Sequence, residues 1–258
     1  LLVRAAVPLH AHPDGRGHVR VRVPAGYPWD DLVAETLRRG WSGLAALSGI
    51  PGLTGATPVQ NVGAYGAEVA QVLVAVRALD RSAGEIVTLG RDELQFGYRD
   101  SLLKRTIVGA SPRYVVLSVD FRLAVDALGA PLRYAELARA LGVEVGERAP
   151  AERIREEVLR LRAGKGMVLD PEDADTNSAG SFFTNPIVEP DVAASLPAHA
   201  PRWPLGSAPG SRVKLSAALL IEHAGFRKGF GLAESLGPDG LRGTDVAGGR
   251  ASLSTKHT

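Results

Sequence analysis

The amino-acid sequence predicts an α+β fold, because strand and helix patterns occur in separate stretches of one chain. Residues 19–23 alternate valine with arginine, which is the period of a half-buried strand. Residues 72–79 and 86–89 are rich in β-branched and apolar side chains and flank a polar turn, so they predict a hairpin. Residues 151–162 instead repeat apolar side chains at helical spacing. A chain of 258 residues is long enough for one large domain or two modest ones.

The first predicted helix follows the alternating strand. Pro28 suits its first position, Asp30 and Asp31 place negative charge in its first turn, and Gly40 ends it. Its predicted buried stripe consists of four apolar residues, Trp29, Leu32, Val33 and Leu37. A further strong strand is predicted over residues 114–123, after the hairpin.

The pattern loosens into short helices and turns over residues 124–150, which predicts a domain boundary there. We therefore expect domains at 1–148 and 149–258. In the helix at 151–162, Ile154, Val158 and Leu161 share one face, Glu156 is placed to pair with Arg160, and Gly164 suits the C-terminal cap.

The last part of the chain carries fewer regular patterns. A helix is predicted over 214–223, with Leu215 and Leu219 facing inward. Before it, the proline-rich residues 197–209 predict a loop. After it, the glycine-rich residues 225–249 predict a surface excursion.

Composition excludes several classes of function. A net charge of +2, with 22% charged residues, gives no indication of nucleic acid or a membrane surface as a partner. No apolar run approaches the roughly 20 residues of a membrane-spanning helix. The absence of cysteine excludes disulfides, thiolate catalysis and cysteine-bound metal, and it suits the cytosol.

Three histidines, at positions 10, 12 and 18, form one cluster that resembles a metal site. They lie among Pro, Gly and Asp residues without rigid spacing or acidic partners, so we expect solvated loop histidines and no metal. The chain begins and ends in strand-like sequence, and its only methionine is Met167, so we expect a fragment that lacks both ends.

The richest segment for function is Ser48–Gly66, which holds five glycines and two prolines and no charge. Glycine lets a backbone approach a flat or charged group closely, and proline stiffens the path between such points. The segment predicts a shaped loop that lies against a large cofactor through backbone groups and does no proton chemistry itself. A purely structural turn is the alternative. We call this segment the glycine loop.

Further motifs follow the glycine loop in a fixed order: Gly97–Ser101, Leu132–Leu137, Lys165–Met167, Ser178–Pro186, Lys214–Ala218 and Ser254–His257. With these motifs the chain resembles the UDP-N-acetylenolpyruvoylglucosamine reductases, the FAD enzymes that make UDP-N-acetylmuramate for peptidoglycan. The resemblance implies an FAD-binding domain of the vanillyl-alcohol-oxidase type over 1–148, followed by a substrate domain over 149–258.

The resemblance also implies a reaction and its surroundings. NADPH reduces a noncovalently bound FAD, which then reduces the enolpyruvyl ether of UDP-N-acetylglucosamine to the lactyl ether. The enzyme is expected to be a bacterial, cytoplasmic monomer that binds no nucleic acid. The family's pyrophosphate loop is expected before residue 1 and its catalytic glutamate after residue 258, so the chain by itself is expected to be inactive.

The resemblance gives roles to individual residues. Arg99 steadies the negative charge that develops on the substrate, and Ser181 donates a proton to the substrate carbon. Tyr134 and Lys165 hold the UDP part, Asn185 contacts the sugar, and Lys256 and His257 lie on a substrate-facing strand. The cofactor-binding residues lie in the glycine loop: Ser48, Gly49, Ile50, Pro51, Gly52, Gly55, Ala56, Pro58, Gln60, Asn61, Gly63, Ala64, Tyr65 and Gly66.

Each of these assignments has a plainer alternative. Arg99 is placed to form a surface ion pair with Asp100, Ser181 to be a turn residue, and Lys165 to complement the end of a helix. Phe182 and Phe183 shield the serine from water or belong to the core. Asn177 departs from the bulky aromatic that relatives often carry. For the whole chain, the alternatives are another oxidase or dehydrogenase of the same flavin fold, or a non-catalytic nucleotide-sugar binder.

Overall fold

The computed structural model describes residues 9–173, 176, 181, 183–230 and 256. Residues Leu1–Arg162 form one compact unit and Ala163–Thr258 a second. Within the described residues no helix combines the length and apolar character needed to cross a bilayer.

In the part of the first unit that the structure describes, residues 9–162, there are ten strands and most of the helical residues. Its strands are β1 His10–Gly15, β2 His18–Pro24, β3 Trp41–Ser42, β4 Gly63–Ala64, β5 Ala67–Glu68, β6 Leu73–Asp80, β7 Glu85–Gly90, β8 Ile107–Val108, β9 Ser111–Pro112 and β10 Tyr114–Val125. Its helices are α1 Trp29–Arg38, α2 Leu102–Arg105, α3 Ala135–Leu141 and α4 Ala151–Ala163, the last of which ends at the unit boundary.

One antiparallel sheet organises this unit, in the order β1-β2-β10-β6-β7, with β3 also pairing β10. The alternation in β2 places Val19, Val21 and Val23 in the core and its arginines at the surface. The hairpin turn predicted at 80–85 joins β6 to β7, with Asp80 opposite Glu85. The α+β fold, the hairpin and the strong strand at 114–123 are therefore confirmed.

Helix α1 packs its apolar face on this sheet. Trp29 is fully buried and lies 6.1 Å from the ring of Phe121, and its indole N–H donates to the carbonyl of Leu47 at 2.9 Å. Leu32 and Val33 are also fully buried, whereas Leu37 is half-buried. The predicted stripe is thus confirmed at its first three positions, and α1 fixes the chain that enters the glycine loop.

Helix α4 belongs to a second core within the same unit. Ile154 and Val158 are buried in the cluster that contains Leu132, Leu137 and Ala45. The predicted boundary after residue 148 falls inside this cluster, and the compact unit of the structure extends to Arg162. Side-chain packing, which local sequence patterns do not reveal, keeps the helix with the first unit.

Two details of α4 differ from the prediction. Arg160 pairs with Glu157 one turn back instead of with Glu156. Gly166, with φ of 65°, adopts the left-handed conformation that was expected of Gly164. The backbone N–H of Gly166 donates to the carbonyl of Ala163, so the chain turns two residues later than predicted.

The second unit contains strands β11 Ile187–Val188, β12 Arg202–Pro204 and β13 Val213–Leu215 and helices α5 Pro190–Ala194 and α6 Ala217–His223. The prediction of a helix from 214 was wrong at its start, since Val213 and Leu215 alternate into the core of a three-stranded sheet. Ser216 then caps α6 by accepting the N–H of Leu219. The loop predicted over 197–209 contains β12, and most of 225–249 lies outside the described residues.

Candidate functional site

The glycine loop is a rigid surface whose inner side packs on the protein. A methyl group added at Gly55 would lie 2.5 Å from the Cβ of Ala25, and one added at Gly49 would lie 2.8 Å from Leu159. A methyl group added at Gly66 would likewise lie 2.9 Å from the Cβ of Arg133. These glycines are required by protein contacts, which is the structural alternative considered for them.

The outer side of the loop is open and uncharged. Pro51, Gly52, Leu53, Ala56 and Gln60 are exposed, and a methyl group added at Gly52 would meet no atom within 4 Å. Small and apolar groups held on a stiff backbone fit a planar ring system, and such ligands are bound mainly by apolar contact with a few polar groups. The loop therefore fits a flavin on this side.

Asn61 fixes the middle of the loop. Its amide nitrogen donates to Glu68 at 2.9 Å and to the carbonyl of Gly97 at 3.0 Å, and its amide oxygen accepts from the N–H of Ala70 at 3.1 Å. Asn61 is almost completely buried. It was predicted as a cofactor contact, and the structure gives it these internal partners.

Arg99 also holds the loop. Its two terminal nitrogens donate to the carbonyl oxygens of Asn61 at 3.3 Å and Gly63 at 2.5 Å. Arg99 does not form the surface pair with Asp100, since the carboxylate of Asp100 pairs with Arg105 instead. The tight turn that carries Arg99 is closed by hydrogen bonds in both directions between Gly97 and Asp100.

Ser101 secures the other end of this turn. Its buried hydroxyl donates to the carbonyl of Val59 at 2.6 Å and accepts from the N–H of Lys104, which caps α2. Together with Asn61 and Arg99, it ties the segment at 97–101 to the glycine loop at three points. Ser101 was part of a predicted motif but not of the predicted site, and a serine directly before a short helix was the available signal.

A second connection ties the loop entrance to α1 and α4. The carboxylate of Asp30 accepts the N–H of Gly49 at 2.6 Å and two hydrogen bonds from Arg155 at 2.6 and 2.7 Å. Burial by itself would raise the pKa of Asp30, but Arg155 and the Gly49 N–H outweigh it and hold that pKa below its usual range. The sequence explained Asp30 by the helix dipole alone.

Arg162 lies on the same side of the loop. A methyl group added at Gly49 would lie 3.2 Å from its Nε. Burial lowers the pKa of Arg162 below its usual value, while nearby Tyr65 and Asp30 oppose that change. The guanidinium stays charged at neutral pH, so Arg155 and Arg162 both place positive charge near the carboxylate of Asp30.

Tyr134 is the one predicted substrate contact that the first unit brings to the loop. Its ring lies 5.6 Å from that of Tyr65 in an edge-to-face arrangement, and it is 43% exposed. A cleft beside this pair is lined by Tyr65, Gly66, Leu132 and Arg133. An aromatic side chain next to the loop is therefore exposed to solvent.

The remaining predicted contacts lie in the second unit. Ser181 is exposed, and the side-chain oxygen of Asn185 accepts the N–H of Ala217 at 3.0 Å, at the start of α6. Lys165 is half-buried in the turn after α4, and Lys256 pairs with Asp173. Phe183 is 61% exposed, so it is not core. Asn177, Phe182 and His257 lie outside the described residues.

The three clustered histidines lie on strands instead of in the predicted loop. His10 and His12 of β1 stand opposite Arg22 and Arg20 of β2, and His18 begins β2. Neighbouring cations make this a poor position for a metal ion.

Comparison with known proteins identifies the class first. The family model described as FAD binding domain matches residues 14–90, which include α1, the glycine loop and the β6–β7 hairpin. The first unit thus carries part of an FAD-binding domain. This agrees with a rigid, uncharged loop that leaves one side open.

Individual relatives then give the family. The UDP-N-acetylenolpyruvoylglucosamine reductase of Leifsonia xyli subsp. xyli is 48% identical over 274 residues, which cover 94% of this chain and 68% of that protein. The reductase of Nocardia farcinica is 53% identical, covering 92% of this chain and 59% of the relative. The reductase of Salinispora arenicola is 51% identical, covering 93% of this chain and 62% of the relative.

This chain belongs to the UDP-N-acetylenolpyruvoylglucosamine reductase family. The resemblance inferred from its motifs is therefore confirmed. The chain spans about three-fifths to two-thirds of the length of these relatives. A crystal structure of the Thermus caldophilus enzyme matches with a TM-score of 0.49 at 24% identity, over 92% of this chain and 62% of that one, which is too weak to add to the argument.

Proposed function

We propose that this protein, at the full length of its relatives, reduces the enolpyruvyl group of UDP-N-acetylglucosamine enolpyruvate with NADPH as electron donor. The observation that supports this most is the family membership, at about half-identity over most of the chain. The names of these relatives state this substrate class and a reduction. The product would be UDP-N-acetylmuramate, for peptidoglycan synthesis and hence for cell-wall growth, cell shape and division.

FAD is the cofactor that the described residues fit. When bound, it supplies hydride transfer between the two substrates. The open side of the glycine loop would hold it, with Gly52, Ala56 and Gln60 exposed there. The predicted roles of Tyr65 and Gly66 fit a contact at the edge of the same surface, beside the cleft. The loop has no charge, so it contributes position and shape instead of proton chemistry.

Arg99 would stabilise the negative charge that develops on the substrate carboxyl and its neighbouring carbon. A guanidinium stays protonated and offers a planar fork of N–H groups. Two of its donors are engaged by loop carbonyls, and 26% of the side chain is exposed. Fixing the fork before the substrate arrives reduces the reorganisation needed during the reaction.

Residues of the second unit and Tyr134 would bind and protonate the substrate. We assign proton donation to Ser181, the diphosphate to Lys165, the sugar to Asn185, and further substrate contacts to Tyr134 and Lys256. An unperturbed hydroxyl is a weak acid, so the proton transfer requires a site that excludes water and polarises Ser181. These assignments come from the motifs of the sequence.

Two further expectations concern the location and the oligomeric state of the enzyme. Nucleotide sugars and NADPH are made in the bacterial cytoplasm, so we place the enzyme there. We also expect a monomer, which size-exclusion chromatography with light scattering checks on the full-length protein.

The proposal is tested by following the flavin absorbance of the full-length protein in two separate steps without oxygen. NADPH should bleach the visible absorbance, and UDP-N-acetylglucosamine enolpyruvate should restore it. NADH is compared in the first step at the same concentration. Bleaching without restoration by the enolpyruvyl substrate would assign the protein to another flavin dehydrogenase, and UDP-sugar binding without any flavin would indicate a non-catalytic binder.

A further inference from the structure

Glu68 is an acidic residue next to the predicted site that no motif assigned. It lies on β5, two residues after the glycine loop ends. One carboxylate oxygen lies 3.8 Å from a terminal nitrogen of Arg99, and the other accepts the amide N–H of Asn61 at 2.9 Å. We propose that Glu68 is a positioning residue that orients the Arg99 guanidinium for the reaction; this inference rests on the proposed function.

The hydrogen bonds around Glu68 hold its carboxylate in one place. The residue precedes a short 3₁₀ turn at Val69–Gln71, and its side chain accepts the backbone N–H of Gln71. The side chain of Gln71 in return accepts the N–H of Glu68 at 3.3 Å. A carboxylate that accepts hydrogen bonds from both Asn61 and the Gln71 N–H presents its charge to Arg99 from a constant direction.

Arg99 is also held by the loop backbone, through the same terminal nitrogens that lie nearest Glu68. Its terminal nitrogens donate to the carbonyls of Asn61 and Gly63, and Asn61 also binds Glu68. A guanidinium has five N–H groups, and these two bonds use two of them. Carbonyls and carboxylate therefore share one edge of the fork, which leaves the other donors for an anionic group of the substrate.

Close packing shows that this arrangement is built into the loop. A methyl group added at Gly63 would lie 2.7 Å from the terminal nitrogen of Arg99 and 2.9 Å from the Cγ of Glu68. Arg99 itself has a left-handed backbone, with φ of 52°, which is uncommon for a residue with a long side chain. The nearby Asp100 does not substitute for Glu68, because it pairs with Arg105.

The test is the substitution Glu68→Gln in the full-length protein. Glutamine keeps the shape and one acceptor oxygen, so it retains a cap for the 3₁₀ turn, but it removes the charge that faces Arg99. We expect unchanged flavin content and thermal midpoint, and unchanged bleaching by NADPH. The maximal rate of reoxidation by UDP-N-acetylglucosamine enolpyruvate should fall about 10-fold, since a misplaced catalytic group costs up to about 10²-fold in rate. The half-saturating concentration of that substrate should stay within about twofold of the parent value.

A double-mutant cycle tests whether Glu68 acts through Arg99. In an Arg99→Ala background, Glu68→Gln should cause no further loss, because the residue it positions is absent. The matched control is Glu93→Gln, since Glu93 accepts the N–H of Gly90 at 2.7 Å in an exposed turn. This control should reoxidise at the parent rate.

The outcomes separate this inference from the proposed function. If the enolpyruvyl substrate fails to reoxidise the parent protein, the proposed function is wrong. If the parent is reoxidised and Glu68→Gln matches it, only the positioning role is wrong. If Glu68→Gln slows the Arg99→Ala variant as much as it slows the parent, its role is independent of Arg99 and the positioning role is wrong. If Glu68→Gln lowers the flavin content or the thermal midpoint, its role is structural and the positioning role is again wrong.

Discussion

Three of the five described non-glycine residues with left-handed backbone lie in the glycine loop or in the turn that contacts it. Among the described residues, Asn61, Tyr65 and Arg99 have φ between 46° and 52°. Such conformations cost about 1–3 kcal/mol each and persist only where the surrounding contacts impose them. Here the contacts are those that join the loop to the segment at 97–101. The strain points to a functional surface that is held in one shape.

Replacement of Ser181 by alanine should separate the two half-reactions of the full-length protein. We expect reduction by NADPH near the parent rate, and reoxidation by the enolpyruvyl substrate lowered by about 10²–10⁴-fold, the contribution typical of a positioned proton donor. Stopped-flow absorbance measures each step. Reoxidation at the parent rate under saturating substrate would return Ser181 to the role of a turn residue.

Replacement of Lys165 by alanine should affect substrate binding alone. The lysine is assigned to the diphosphate of the UDP-sugar, so we expect a half-saturating concentration roughly 10-fold higher, as for the loss of a charge-assisted hydrogen bond. The rate of bleaching by NADPH should not change. Thermal midpoints of both proteins serve as the control, and equal losses in the two half-reactions would indicate that Lys165 supports the end of α4 instead.

The close packing of the glycine loop is tested at Gly63. Alanine there would place its methyl group 2.7 Å from Arg99 and 2.8 Å from the carbonyl of Ala67, so one of them must move. We expect a loss of about 1–3 kcal/mol in the free energy of unfolding, as for other overpacked sites, and weaker flavin retention. Urea unfolding and flavin absorbance after desalting measure these effects.

Gly97→Ala is the matched control for this prediction. An added methyl group there would lie 3.7 Å from its nearest neighbour, the Cβ of Asp100, and the backbone of Gly97 is not left-handed. The variant should unfold near the parent urea concentration. Equal destabilisation of both variants would contradict the steric explanation.

The connection between α1, the loop entrance and α4 makes a pH-dependent contribution to stability. Asp30 has a lower pKa in the folded protein than its ordinary value near 4, so its contribution is present above that pH and is lost as the pH falls below it. Asp30→Asn should therefore lower the free energy of unfolding at pH 7 by about 1–2 kcal/mol, a figure for charged hydrogen bonds reduced for its partial exposure. The difference from the parent should shrink between pH 5 and pH 3.

Urea unfolding at several pH values measures this difference. Asp31→Asn is the control, because Asp31 is exposed in the same helical turn. A difference that stays constant from pH 7 to pH 3 would show that the carboxylate of Asp30 is not the cause.

The amount of flavin that the protein retains should depend on the length of the chain. The relatives are longer than this chain, and the sequence motifs led us to expect the family's pyrophosphate loop outside residues 1–258. Backbone N–H groups at such loops contribute much of the grip on a dinucleotide. We expect the full-length protein to retain noncovalent FAD after desalting and residues 1–258 to retain much less, as measured by absorbance at the flavin maximum. Stoichiometric FAD on residues 1–258 would contradict this.

Some elements followed directly from the sequence. The alternation at 19–23, the hairpin turn at 80–85 and the apolar face at 151–162 each depend on contacts between neighbours along the chain, so local periodicity was sufficient. The helix expected from 214 began as a strand, because Val213 and Leu215 pair with segments that are distant in sequence. Cross-strand pairing of this kind cannot be read from a short window.

The motifs were sufficient to identify the family and the class of fold, since several motifs in a fixed order are specific even where each is weak. The tertiary structure decided what those motifs contact. It showed that Gly49, Gly55, Gly63 and Gly66 are required by the protein's own atoms, that Arg99 binds loop carbonyls, and that Glu68 faces that guanidinium. The glycines of a loop indicate that some group lies close to its backbone. Which group that is depends on how segments distant in sequence pack around the loop.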